Sequence, residues 1–340
     1  MAQGHLPALS ACIIKNNSVV WSDGYGNYDI KNNKLANENT IYLVGSISKT
    51  VTATAMMQLW EQGLFDLDED VNDYLPFSLR NPNYLDIPIT FRMLLAHQSS
   101  LSSNFIGLFL LFSVLGLENE LLPEYILPGG MLYNPKVWVD SPPGQEHTYS
   151  SIGYEILGML VEILSGEPYI EYCKTHILEP LKMYNSSFLI EDLNKDIVSV
   201  PYVYLLTRYI RLPYYNDENY AAGGLRTNVL DLSRYLLAFM DGGEYDGTRI
   251  LQEETVDMML TYQYPNSNYG LGWKMFHRDN DSRQIGHSGG VPGGLSYMYF
   301  IDTENIGVIY LANQYLFFRI NEFTAWLSLL QALFDKARQM

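Results

Sequence analysis

Cysteine is nearly absent from this chain. There are two in 340 residues, Cys12 and Cys173, far apart, so a disulfide framework is not implied. Cys12 lies in an apolar run and reads as a buried thiol. No C-x-x-C, H-E-x-x-H or P-loop pattern occurs, which removes the usual metal and nucleotide signatures; neither a metal nor an organic cofactor is expected. Asp66-Leu67-Asp68-Glu69-Asp70 starts like a calcium loop but lacks glycine at the sixth position and an acidic twelfth ligand. It reads as a solvated turn. Positive charge is also scarce. Lys and Arg number 21 against 38 Asp and Glu, a net charge of −17, which argues against nucleic acid or an anionic membrane surface as partner. No repeat or low-complexity segment is present, and no signal peptide is visible. The apolar run at residues 105–117 (FIGLFLLFSVLGL) is too short to span a bilayer as a helix, which takes ~20 residues.

What is present is globular: 47% hydrophobic and 17% charged residues, in a chain long enough for one large domain or two sub-domains. Residues 8–14 and 18–27 read as a hairpin around Lys15-Asn16-Asn17. Residues 39–44 form a short extended piece leading to Val44-Gly45-Ser46-Ile47-Ser48-Lys49-Thr50. Apolar residues then recur at helical spacing (Val51, Ala55, Leu59) until Gly63, a natural helix stop. Helices are further expected at 89–97, 151–164, 169–178, 228–240, 252–260 and 321–338. Strands are expected at 269–276, 284–287, 295–301 and 306–312, and Ala221-Ala222-Gly223-Gly224-Leu225 as a glycine turn. Strands come first and last with helices between. The economical arrangement is an α+β fold: one antiparallel sheet built from both chain ends (1–60 and 221–340), with a helical part (61–220) to one side. A site would lie at the seam, where Ser46 sits.

Residues three apart share a helix face, so Ser46 Oγ and Lys49 Nζ can meet. A desolvated lysine can act as base toward a serine hydroxyl, and a helix N-terminus adds positive potential. Alone, S-x-x-K is equally a capping serine beside a solvated lysine. Two further patterns accompany it. Tyr149-Ser150-Ser151 precedes a helix, and His287-Ser288-Gly289-Gly290 ends a strand in a glycine-rich turn. Residues 105–117 read as core helix or as a lid over an apolar pocket. The tyrosine-rich residues 202–215 read as pocket lining, ordinary packing or a homodimer contact.

Taken together and in this order, the three patterns resemble the serine β-lactamase and penicillin-binding-protein superfamily, in its class C, D-aminopeptidase and family VIII esterase branch, with its S-x-x-K, Y-x-N and K-T-G or H-x-G motifs. Supporting likenesses are Leu94-Leu95-Ala96-His97-Gln98-Ser99-Ser100-Leu101, Pro180-Leu181-Lys182-Met183 and Ala222-Gly223-Gly224-Leu225. The resemblance implies a β-lactamase-like domain and a serine hydrolase working through an acyl-enzyme on a small-molecule or peptide substrate. Ser46 would be the nucleophile, Lys49 its base, and Tyr149 the proton shuttle. The backbone N–H groups of Ser46 and Gly290 would form the oxyanion hole, with Ser151, His287, Ser288 and Gly289 toward the substrate. Ser151 stands where the family has asparagine and His287 where K-T-G has lysine, which points away from a penicillinase and toward an esterase, amidase or D-amino-acid peptidase. A β-lactamase, a D-alanyl-D-alanine carboxypeptidase or a slowly acylating penicillin sensor are the alternatives. The family also implies an extracellular or periplasmic setting.

Overall fold

A computed structural model describes residues 4–103, 122–216, 220–278, 282–315 and 320–340. The apolar run at 105–117 lies outside the described residues. Numbered in chain order, the strands are β1 Ala8–Lys15, β2 Ser18–Asp29, β3 Lys34–Leu35, β4 Tyr42–Leu43, β5 Tyr202–Leu205, β6 Arg208–Arg211, β7 Arg226–Thr227, β8 Glu244–Tyr245, β9 Thr248–Arg249, β10 Lys274–His277, β11 Arg283–Val291, β12 Gly294–Ile301 and β13 Ile306–Ala312. The described α-helices are α1 Ser48–Glu61, α2 Phe91–Leu95, α3 Leu122–Ile126, α4 Ser151–Ser165, α5 Tyr169–Cys173, α6 Tyr220–Gly223, α7 Val229–Met240, α8 Glu253–Met259 and α9 Ile320–Gln339.

Seven strands form one antiparallel sheet in the order β10-β11-β12-β13-β1-β2-β3. The two ends of the chain meet at its centre, where Leu9 pairs with Ala312 and Lys15 with Ile306. Period-2 alternation divides the side chains between two cores. Ile13, Tyr299, Val308 and Tyr310 face Trp326, Leu330 and Phe334 of α9. Cys12, Ile14, Met298 and Ile309 face the larger core that holds α1, α4 and α7. Cys12 and Cys173 are both buried free thiols, and burial pushes each up to about 12.

Several segments depart from the sequence reading. In the helix after Ser46 the spacing of Val51, Ala55 and Leu59 marks a single apolar stripe. The helix is buried almost all round, Leu59, Met57 and Val51 included, as a helix at the centre of a domain must be. Its threonines are tolerated there because each hydroxyl is bonded: Thr52 Oγ1 donates to the Ala221 carbonyl at 2.6 Å, and Thr54 Oγ1 pairs with the Tyr235 hydroxyl at 2.9 Å. Gly63 does end this helix, at φ +73°. The segment 269–276 is a strand only from Lys274; Tyr269 makes a single bridge to Lys274. Residues 169–178 split into α5 and one π turn. The glycine turn at 221–225 begins as the short helix α6. The acidic turn at 66–70 is held by ion pairs, Asp68 with Arg92 and Asp70 with Arg80.

Candidate active site

The Ser46 segment leaves β4 through Val44 and makes a 3₁₀ turn, Gly45–Ile47, before α1. Between residues 40 and 57, Ser46 alone is not buried, so one serine surfaces from an otherwise enclosed segment. Gly45 has φ +54°, and a Cβ there would lie 3.1 Å from Gly290 N. Both facts require glycine. The turn is fastened on each side. Val44 N–H donates to Leu225 O at 2.9 Å. Ser48 Oγ donates to Gly45 O at 2.7 Å and accepts from Leu225 N–H at 3.0 Å. Ser296 Oγ donates to Val44 O at 2.6 Å.

Lys49 is 1% exposed. Its Nζ lies 3.2 Å from Ser46 Oγ and 2.7 Å from the Ala222 carbonyl. That carbonyl is set by α6, whose Ala222 N–H donates to the buried Glu155 carboxylate of α4 at 2.9 Å. The Tyr149 hydroxyl faces Ser46; burial pushes its pKa up and the interaction with Ser46 draws it partly back. The Tyr149 ring also lies 5.2 Å from Lys49 Nζ. Ser46 and Lys49 from one stretch of sequence and Tyr149 from another are therefore brought together.

β11 closes the other side of the cleft. Its hairpin to β12 turns through Pro292-Gly293, and Val291 pairs with Gly294. Counting back by antiparallel alternation, Gly290 opposite Leu295 is a non-hydrogen-bonded pair. Its N–H therefore points off β12, toward the Gly45 turn. Gly289 packs still closer: a Cβ there would stand 1.9 Å from Val44 O and 2.8 Å from Ser46 N. The Ser46 and Gly290 N–H groups thus lie at one seam, the arrangement an oxyanion hole requires.

His287 is buried, and its Nδ1 donates to the Ser288 carbonyl at 2.7 Å. This fixes the tautomer, leaving Nε2 as a bare acceptor with no partner among the described residues. Burial first, then the charge of Lys49, pulls its pKa down to about 3, so at neutral pH no cation stands at this position. The Ser288 hydroxyl bonds to Tyr299. Ser151 opens α4, its N–H donating to Ser103 Oγ, while Ser150 caps that helix by accepting from Gly153 N–H at 3.0 Å.

Three neighbours carried no site role in the sequence reading. His97 is buried, accepts the Ser150 N–H on Nδ1 at 3.1 Å, and lies 4.4 Å from the Tyr149 ring, centroid to centroid. It is thereby neutral with Nε2 protonated, and burial followed by the Lys49 charge drives its pKa well down. His147 stacks on Tyr269 at 5.1 Å, and Tyr269 lies 6.1 Å from His287. The signal for His97 was present in Leu94-Leu95-Ala96-His97; nothing local marked Tyr269. Ser100, where the resembling family has glycine, takes φ +61° and accepts from the Asn81 amide at 2.9 Å. The positive φ accounts for the glycine elsewhere, and the amide holds the serine here. Of the tyrosine-rich residues 202–215, Tyr215 alone packs beside this cleft, against Leu43 and Val291. Residues 202–211 pair as the β5–β6 ribbon, buried at Tyr202 and Val203 and exposed from Leu205 onward.

A beta-lactamase family model matches residues 1–331, and the chain belongs to that family. An octameric penicillin-binding protein homologue from Pyrococcus abyssi superposes with a TM-score of 0.78 at 31% identity, covering 92% of this chain and 71% of that one. Among curated proteins, "Protein flp" of Staphylococcus aureus (strain MRSA252) is 26% identical over 92% of this chain and 60% of its own length. The putative penicillin-binding protein PbpX of Bacillus subtilis (strain 168) is 27% identical over 78% of this chain and 61% of its own. The chain thus spans roughly three fifths of these curated relatives. D-amino acid amidase from Ochrobactrum anthropi shares the fold, with a TM-score of 0.73 at 20% identity, covering 98% of this chain and 95% of that one. The fold is of the serine-hydrolase type. Among the described residues no helix is long and apolar enough to cross a membrane.

Proposed function

We propose that this chain is a serine hydrolase that cleaves an ester or amide through an acyl-enzyme on Ser46. The observation that carries this reading is the buried Lys49 Nζ 3.2 Å from Ser46 Oγ, with Tyr149 facing the same serine. A neutral Lys49 amine can donate one N–H to Ala222 O while its lone pair receives the Ser46 proton. Ser46 Oγ then attacks the acyl carbon, and the oxyanion is held by the Ser46 and Gly290 N–H groups. The bond to the leaving group breaks as Tyr149 delivers a proton to it, and Tyr149 is reprotonated from Lys49. Water deacylates the serine by the same steps in reverse.

His287 directs the choice of substrate. A neutral imidazole offering an acceptor does not attract the carboxylate of a β-lactam or of a C-terminal D-alanine. This favours an esterase, amidase or D-amino-acid peptidase. The test is a hydrolysis screen of p-nitrophenyl esters of rising chain length, D- and L-aminoacyl amides and a chromogenic cephalosporin, with Ser46→Ala as blank. Ser46-dependent turnover of esters or amides, with rates rising with chain length and slow cephalosporin hydrolysis, is expected. Fast cephalosporin hydrolysis would overturn the substrate assignment. Labelling of Ser46 by a fluorescent phosphonate without turnover of any substrate would make the chain a sensor.

A further inference from the structure

Strands β5 and β6 stand apart from the main sheet as a two-stranded ribbon. Its base is tied down: Tyr202 N–H donates to Asn313 O and Leu212 N–H to Pro201 O, each at 2.9 Å. Away from that base, burial falls along β5 from Tyr202 and Val203 to the exposed Leu205, and all four residues of β6 are exposed. The tip is apolar. Leu206 is 80% exposed, and Leu205, Tyr209 and Ile210 are each about two fifths exposed. The tip is also strained: Leu206 has φ +47° and Thr207 +66°, at two consecutive positions that a relaxed hairpin would fill with asparagine or glycine. An exposed leucine kept in a left-handed turn has no value to the turn itself, which directs attention to the side chain.

Charge sharpens the picture. Residues 202–215 contain Arg208 and Arg211 and no acidic residue, in a chain whose net charge is −17. Going back from Leu206 at the tip come the Leu205–Arg208 rung, then Tyr204 with Tyr209 at 5.1 Å between ring centroids, then Val203–Ile210 and Tyr202–Arg211. A leucine foremost, with an arginine one rung back and aromatic rings behind it, suits a segment seated in a phospholipid interface. Arg208 sits one rung from the tip, at the end of the ribbon away from the buried Tyr202 and Val203, and exposed charges more than ~8 Å away are largely screened at physiological ionic strength. The acidic body is therefore partly screened from the tip. A convex, narrow tip also suits a fluid surface better than a protein partner, which needs roughly 800 Å² of complementary area on each side.

We propose that the β5–β6 ribbon docks this protein on an anionic phospholipid surface, Leu205 and Leu206 entering the acyl boundary and Arg208 and Arg211 meeting phosphates. Tyr215, at the end of the same stretch, donates its hydroxyl to Pro292 O at 2.8 Å. Docking would thus hold the β11–β12 turn, and the cleft beside it, close to the membrane. The proposal does not depend on the hydrolase reading. It is tested by flotation of the full chain with vesicles of phosphatidylcholine alone or mixed with phosphatidylglycerol, alongside sedimentation of the protein without lipid. Wild type is expected to float with the mixed vesicles, and Leu205→Asp/Leu206→Asp to lower the bound fraction about tenfold. Arg208→Gln/Arg211→Gln should remove the preference for phosphatidylglycerol. Any turnover of a soluble substrate should be unchanged in both. Failure of wild type to float, or flotation indifferent to the leucine change, would overturn the proposal. So would a wild-type dimer that the leucine change dissolves, which would make the ribbon a contact between copies of this chain.

Discussion

Replacing Gly289 by alanine tests whether the nucleophile turn and β11 must touch for the site to work. The added Cβ would lie 1.9 Å from Val44 O, 2.6 Å from Ser296 Oγ and 2.8 Å from Ser46 N. Two of these atoms are backbone and cannot rotate aside. Cβ atoms essentially never approach a heavy atom closer than 3.0 Å, so strand and turn must separate by about 1 Å, a displacement that can lower a rate ~10²-fold. Loss of one oxyanion donor alone costs ~10²–10³. Overpacking adds a stability loss of ~1–3 kcal/mol. The assay is kcat on a p-nitrophenyl ester together with the rate of phosphonate labelling at Ser46, with the melting temperature measured in parallel. Gly247→Ala is the control. Its φ of +76° makes alanine strained, but nothing lies within 4 Å, so stability should fall with kcat unchanged. If Gly289→Ala keeps kcat within about threefold of wild type, the contact between β11 and the turn does not set the oxyanion geometry, and the reasoning fails.

Three further outcomes are expected. Ser46→Ala should abolish turnover, and Tyr149→Phe should lower kcat by ~10²–10⁴ with the fold intact by circular dichroism; wild-type turnover in Ser46→Ala would put the nucleophile elsewhere. His97→Leu removes the acceptor for the Ser150 N–H and should cost ~1–3 kcal/mol in denaturant melts. His97→Asn, which can still accept, should recover part of the loss; equal losses would mean that the bond to Ser150 carries none of it. Stability should fall as pH drops from about 6.5 toward 3: His287 is held neutral down to about 3 in the fold, the unfolded chain binds that proton earlier, and so the unfolded state gains up to ~1.4 kcal/mol per pH unit across the window. Melting temperatures at pH 7, 5.5 and 4.5 measure this, and His287→Gln should flatten the slope; an equal slope in the variant would assign the effect to other groups.

Most of the sheet and the long helices were legible because their patterns are local. The strand at 306–312 and the helix at 229–240, capped by Asn228 Oδ1 accepting from Asp231 N–H at 2.8 Å, lie where alternation and capping placed them. The proximity of Ser46 and Lys49 followed from helical spacing alone. What stayed hidden depends on distant partners. The all-round burial of α1 is set by α4, α6 and α7 enclosing it, which a threonine-rich stretch does not announce. The approach of His97 and Tyr269 to Tyr149 is likewise tertiary, as is the tautomer of His287. The tyrosines of 202–215 suggested a pocket by composition, but pairing into a narrow ribbon buried only its base at Tyr202 and Val203, and Tyr215 alone packs against Leu43 and Val291.

The pairing of β1 with β13 governs when this molecule can become itself during synthesis. Ala8 N–H waits for Asn313 Oδ1, 305 residues later, to close a 2.9 Å bond. β1 cannot be flanked on that side until Asn313 has left the ribosome. Ser46 and α1 are made early, yet the strand that braces them, β11, ends at Val291. Such long-range closure is slow and leaves apolar strands uncovered meanwhile. The nascent chain therefore passes through a long interval in which Ser46 exists without the residues that surround it in the fold, and in which β1 and α1 are not yet covered by the native sheet.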